Sequence, residues 1–195
     1  MPITNVQQGV IGQSEFAKLV MMGTGGAVEV AATLTDDDRR DAEIHVRGHY
    51  GFALANQIKT TMELHRSEGG SRYLICKFPI RPERIVNDPY FWYVVAHLDP
   101  KLMRFADPVF FVPSTEMHTH ARDGWIGNKR HFKFVANMDP NSRDRWVARR
   151  VNTLDLGKKV LETIEELEKQ AKHTKNLLLP LPLADPSLLW LRKAA

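Results

Sequence analysis

The stretch D-A-E-I-H-V-R-G-H-Y-G-F-A-L-A-N-Q-I-K, Asp41 to Lys59, decides how this chain is read. It predicts two strands folded back on each other around the turn Gly48-His49-Tyr50-Gly51. Side chains alternate faces along a strand, so Asp41, Glu43 and His45 share one face of the first strand, and Gln57 and Lys59 share one face of the second. Five polar or charged groups can thereby converge on one surface. The same pattern also suits an ordinary hairpin with one face in water.

Upstream, S-E-F-A-K-L-V-M-M predicts a helix beginning near Gly12 or Ser14, with Ser14 as its cap and Phe16, Leu19 and Val20 on one side. Glu15 then falls in the first turn, where the helix dipole favours a carboxylate. Gly23-Thr24-Gly25-Gly26 stops the helix, and A-V-E-V-A-A-T-L has the branched residues of a strand. Asp36, Asp37 and Asp38 follow in a polar connection. Consecutive carboxylates repel and point apart, which makes them a solvated turn rather than a metal site.

Downstream of Lys59, residues 60–71 read as an exposed extension and turn, R-Y-L-I-C-K-F as a strand, and Pro79 and Pro82 as a loop. F-W-Y-V-V-A-H-L is nearly all apolar at strand length, the pattern of a strand covered on both faces. D-P-V-F-F-V-P-S repeats that pattern in shorter form, with Ser114 positioned to cap a helix containing Met117. R-H-F-K-F-V-A-N places Phe132 and Phe134 on one strand face and His131 and Lys133 on the other. A final helix over about 154–172 carries the apolar stripe Leu156, Val160, Ile164, Leu167 and Ala171. The expected fold is a central mixed β-sheet flanked by helices. Glu116, His118 and His120 invite a zinc reading, but histidines at i and i+2 do not share a helix face.

At 195 residues and 43% hydrophobic content the chain supports one sizeable core. The expected division is a domain over 1–172 and a tail over 173–195, apolar but broken by Pro180, Pro182 and Pro186. Such a tail should dock on its own domain or on another subunit, which raises a homodimer. No segment reaches the roughly 20 apolar residues of a bilayer span, and the N-terminus has no basic and apolar leader, so a cytoplasmic protein is expected. Cys76, the single cysteine, sits in an apolar run and reads as a buried, inert thiol; disulfides are excluded. The formal charge is +4, yet between Arg122 and Arg150 eight basic residues face only three acids, a local surplus of +5. Arg122, Lys129, Arg130, Lys133, Arg143, Arg145, Arg149 and Arg150, with Trp125, His131 and Trp146 among them, form a candidate footprint for a phosphate backbone. A solvated surface with acids supplied by neighbouring elements is the other reading.

The order of a helix with Glu15, a strand, an acidic turn ending at Asp41, a strand, and a second strand ending Gln57-Ile58-Lys59 resembles the restriction-endonuclease-like PD-(D/E)XK nucleases. The later Y-F-W-Y-V-V-A-H-L-D-P and P-V-F-F-V-P-S-T-E-M runs look like the core strand and strand-to-helix passages of small members. The layout extends over roughly Gln13 to Gln170. Two positions depart from the pattern: Arg40 stands where the motif has proline, and Gln57 replaces the second acid. Some subfamilies, among them restriction enzymes of the modified-DNA type and relatives of junction-resolving enzymes, use such a Q-X-K form.

The resemblance implies a metal-dependent endonuclease acting on DNA, in restriction or defence, with RNA left open as a substrate. Mg²⁺ or Mn²⁺ would be held by Asp41, the Gln57 amide oxygen and the Ile58 carbonyl. Lys59 would orient or help deprotonate the attacking water, and Glu15 would ligate a second ion or hold the first ion's waters, with Glu43 as its rival. Loss of one carboxylate implies weaker metal binding than in a D/E-X-K member. The alternative is a catalytically inactive nuclease-fold subunit that binds nucleic acid or serves assembly.

Overall fold

The computed structural model describes residues 3–32 and 40–174. Helix α1 (Asn5–Gly23) starts well before the position read from sequence, because Thr4 and Gln7 form a capping box: the Gln7 amide donates to Thr4 Oγ1 at 3.2 Å and the Thr4 amide to Gln7 Oε1 at 2.8 Å. Ser14 is therefore not a cap; its hydroxyl donates back to the Val10 carbonyl at 2.9 Å. Glu15 moves from the first turn to mid-helix, so the dipole no longer accounts for it.

Strand β1 (Val28–Ala32) is followed by β2 (Ala42–Val46) and the long β3 (His49–Thr61). The turn lies at Arg47-Gly48, earlier than expected: Val46 pairs with His49, and Gly48 takes φ +79°, a conformation open to glycine. Asp36, Asp37 and Asp38 fall outside the described residues. The chain continues through β4 (His65–Arg66), β5 (Arg72–Ile80), β6 (Phe91–Asp99), β7 (Arg104–Pro113), α2 (Ser114–His120), β8 (Arg122–Ile126), β9 (Lys129–Asn137), β10 (Arg150–Val151) and α3 (Leu156–Thr174). Ser114 opens α2 without capping it. Its hydroxyl instead donates to the Asp88 carbonyl at 2.9 Å and accepts the Asp88 amide at 3.0 Å. The tail from residue 175 onward lies outside the described residues.

The central sheet is mixed, in the order β1-β2-β3-β6-β7-β10, with β3 and β6 parallel and the other neighbours antiparallel. A parallel pair needs a crossover, and here β4, β5 and the loop after them supply it. A second, antiparallel sheet in the order β4-β5-β9-β8 results.

Two cores meet at the central sheet. On one face Phe16, Val20, Leu156, Val160 and Ile164 from α1 and α3 pack on Ile44, Leu54, Ile58, Trp92, Val94 and Phe111. On the other face Leu74, Phe78, Phe132 and Phe134 from the second sheet, with Met117 from α2, pack on Tyr93, Val95, Phe110 and Val112. The apolar run of β6 serves both layers at once, which is why it shows no alternation. Thus helices cover one face, and a small sheet with α2 covers the other.

Candidate active site

The site is built where β2 begins. The Asp41 amide donates to the Asn56 carbonyl at 2.8 Å, and Asp41 Oδ2 accepts the Ile58 amide at 2.7 Å. The ladder of β2 opens with Ala42 opposite Asn56, so the carboxylate takes up the next amide along β3. It is thereby held beside the strand between Gln57 and Lys59. A carboxylate bonded to backbone in this way is fixed in position without a rotamer search.

Alternation along β3 separates the two sheet faces. Ile58 packs into the helical core and meets α1, where a Cβ at Gly12 would fall 2.7 Å from Thr60 Cγ2 and 3.7 Å from Ile58 Cγ2. Gln8 ties down the same end by donating to the Thr60 carbonyl at 2.8 Å. Gln57 and Lys59 occupy the face turned towards the second sheet. Gln57 is 2% exposed and stands in register with Tyr93 on β6. Lys59 Nζ lies 5.7 Å from the centre of the Phe78 ring. Burial of Cys76 pushes its thiol up to about 11, with the nearby Lys59 ammonium acting in the opposite direction. The thiol is therefore protonated at neutral pH, in keeping with an inert residue.

Glu15 comes from the helical layer. It is 7% exposed and ion-paired with Lys18 one turn later. Glu43 lies on β2, paired with Arg40 and 3.9 Å from His45 Nε2. It borders a cleft of about 430 Å³ whose floor is made by the small Ala53 and Ala55 and whose far wall is Glu83, Arg84, Val86 and Asp88. Asp41, Gln57 and Lys59 are thus brought to one stretch of β3, Glu43 to an adjoining cleft, and Glu15 to the other layer. Among the described residues no group of three or more His, Cys, Asp or Glu converges as a metal site.

The basic segment divides. Lys129, Arg143 and Arg145 are exposed and Arg130 and Lys133 half-buried. Arg149 clasps Glu116 with two hydrogen bonds, one of 2.8 Å from Nε, and lies 5.8 Å from the centre of the Trp92 ring. Arg150 donates to the carbonyls of Asn137 and Asp139 at 2.8 Å each and pairs with Asp144 at 3.4 Å. Both are therefore joints of the fold.

Sequence reasoning missed a buried network beside Gln57. Tyr93 Oη lies 2.8 Å from His118 Nε2, and His118 Nδ1 lies 2.7 Å from Asn87 Oδ1. His118 is 2% exposed, on α2. The motif E-M-H-T-H gave a signal, but only the third dimension supplied partners that suit a hydrogen-bonded histidine.

No family model matches the sequence, and no curated protein matches it. Among solved structures, the chain is similar to the bacterial homing endonuclease I-Ssp6803I, with a TM-score of 0.51, 15% sequence identity, and coverage of 86% of this chain and 98% of that one. The class this defines is a mixed α/β fold, a central mixed sheet flanked by helices, of the kind seen in that homing endonuclease.

Proposed function

We propose that this protein is a metal-dependent endonuclease that hydrolyses phosphodiester bonds in DNA. The observation that carries the proposal is the Asp41 carboxylate bonded to the Ile58 amide, between Gln57 and Lys59, in a fold similar to a homing endonuclease.

The donor set fits a hard divalent cation. Asp41, the Gln57 amide oxygen and the Ile58 carbonyl are all oxygen ligands, and Mg²⁺ is commonly held by one or two carboxylates plus substrate phosphate and water. Asp41, Gln57 and Ile58 would hold Mg²⁺ or Mn²⁺, with Glu43 as an alternative contributor; when bound, the ion supplies charge neutralisation at the phosphate and lowers the pKa of bound water. Lys59 orients the attacking water and offsets phosphate charge from the same strand face as Gln57. Glu15, held by Lys18, stands behind β3 as a supporting carboxylate. Lys129, Arg130, Lys133, Arg143 and Arg145 carry the DNA backbone. Assembly as a homodimer through the C-terminal tail and a role in restriction or defence belong to the same proposal.

Cleavage of duplex DNA in Mg²⁺, by protein purified free of host nuclease, tests it. Asp41→Asn and Lys59→Ala should each lower the rate by about 10²–10⁴-fold, the usual range for a positioned proton-transfer group. Undiminished cleavage by either variant removes the assignment.

A further inference from the structure

The loop joining β5 to β6 has two sides. Glu83, Arg84, Val86 and Asp88 wall the cleft beside Glu43, whereas Ile85 and Asn87 turn to a second recess of about 250 Å³. Trp125 and Arg130 from the β8–β9 hairpin, with His118 and Phe132, complete that recess. The two concavities are thus opposite faces of one short segment.

The hairpin tip is unusual for a free surface. Trp125 is 56% exposed and Ile126 68% exposed, next to a tight turn in which Gly127 takes φ +60°. An indole left this far in water forgoes part of the stabilisation that burial of a large apolar side chain contributes. The Arg130 guanidinium sits 5.4 Å from the centre of the Trp125 ring. An aromatic plane is therefore presented together with a planar cation.

The recess floor is polar in a defined sense. Asn87, whose Oδ1 lies 2.7 Å from His118 Nδ1, is the polar side chain that the 83–88 loop contributes to the lining. The cations that border the recess are Arg130, which lies against Trp125, and Lys129 at the exposed start of β9.

We propose that the recess beneath Trp125 receives a nucleobase of the bound DNA, stacked on the indole, while the phosphates of that strand meet Arg130 and Lys129 at the hairpin tip. The identity of the partner rests on the nuclease reading. Aromatic stacking is tolerant of base identity, the polar edge of the base faces Asn87, and the cations meet the backbone. DNA would then pass from this recess over the 83–88 loop to the cleft beside Glu43.

The test uses the full-length protein without divalent cation and mixed-sequence single-stranded and duplex DNA oligonucleotides, so that binding is read without turnover. Trp125→Ala should weaken binding about 5- to 150-fold, the range for loss of one stacked base, with the salt dependence unchanged, and Trp125→Phe should restore most of it. Lys129→Gln should reduce the salt slope by about 1. Binding by Trp125→Ala equal to wild type overturns the subsite, as does a drop in salt slope in that variant. The nuclease reading is judged separately by Asp41→Asn: continued cleavage by that variant alongside Trp125-dependent binding removes the catalytic assignment and leaves the subsite standing. Wild-type protein that binds neither oligonucleotide overturns the subsite, and the nuclease reading is then judged by cleavage in Mg²⁺ alone.

Discussion

Gln57 is the residue on which the proposed chemistry turns. It is nearly fully buried, where an amide costs far less than a carboxylate would. Gln57→Glu places a second, buried acid near the half-buried Asp41, and without a cation the two like charges repel. We expect this variant to melt below wild type in EDTA and to gain more in Tm than wild type on Mg²⁺ addition, because a ligand bound by the native state stabilises it by mass action. Calorimetry with and without Mg²⁺ reads the difference; equal Mg²⁺ shifts in both proteins would argue against a metal at this position. Cys76 gives a second residue-scale expectation. Its pKa is raised to about 11 in the folded protein, so its contribution to stability is fully present below the unfolded value of about 8.5 and is lost as pH rises through about 11. Iodoacetamide should leave Cys76 unmodified in native protein at pH 8 and alkylate it once urea unfolds the chain. Rapid labelling of native protein would contradict the burial.

At the scale of elements, α1 and α3 meet through glycines. A Cβ at Gly157 would lie 2.8 Å from both Gly23 Cα and Val20 O, and these are backbone atoms that cannot swing aside. Gly157→Ala should therefore destabilise the protein by about 1–3 kcal/mol through overpacking, despite the better helix propensity of alanine. Urea unfolding measures this, and a neutral or stabilising result would mean that the helices do not approach so closely. Gly12 plays the related part at the other end, letting α1 lie against Thr60 beside the site. The helix start was misread because the capping signal is a pair, Thr4 with Gln7, separated from the apolar face that made the helix visible. The turn of the β2–β3 hairpin was misread because two glycines, Gly48 and Gly51, both invite a turn, and strand register decides between them.

At the scale of the molecule, the +5 segment is no single surface. Arg149 and Arg150 bind the loop over 139–149 to β7, β9 and α2, whereas Arg143 and Arg145 stand exposed on it. Neutralising Arg143 and Arg145 should lower the salt slope of DNA binding by up to about 1 for each phosphate that the protein no longer neutralises, with unfolding unchanged. Arg150→Ala should do the reverse, lowering stability by about 3 kcal/mol, since it removes several hydrogen bonds and takes the donor from the carbonyls it serves. Denaturation and binding isotherms on the two sets separate the roles. If Arg143 and Arg145 leave the salt slope untouched, the DNA path lies elsewhere.

The alternation of Asp41 to Lys59, the doubly covered run of β6, the split of Phe132 and Phe134 from His131 and Lys133, and the stripe of α3 were legible in the sequence because each depends on the period of its own element. From these the mixed sheet with flanking helices could be read, and so could the placing of Gln57 and Lys59 on one face of β3. What the tertiary structure alone decided is every pairing between distant segments. It tied Asp41 to the Ile58 amide, set α1 against α3 and Thr60, and set Glu116 on Arg149. It also folded β4, β5, β8 and β9 into a second sheet and brought Asn87, His118 and Tyr93 into one chain of hydrogen bonds. Periodicity carries the direction of a side chain relative to its own backbone, but a partner many residues away is chosen by register and packing, which no local pattern encodes.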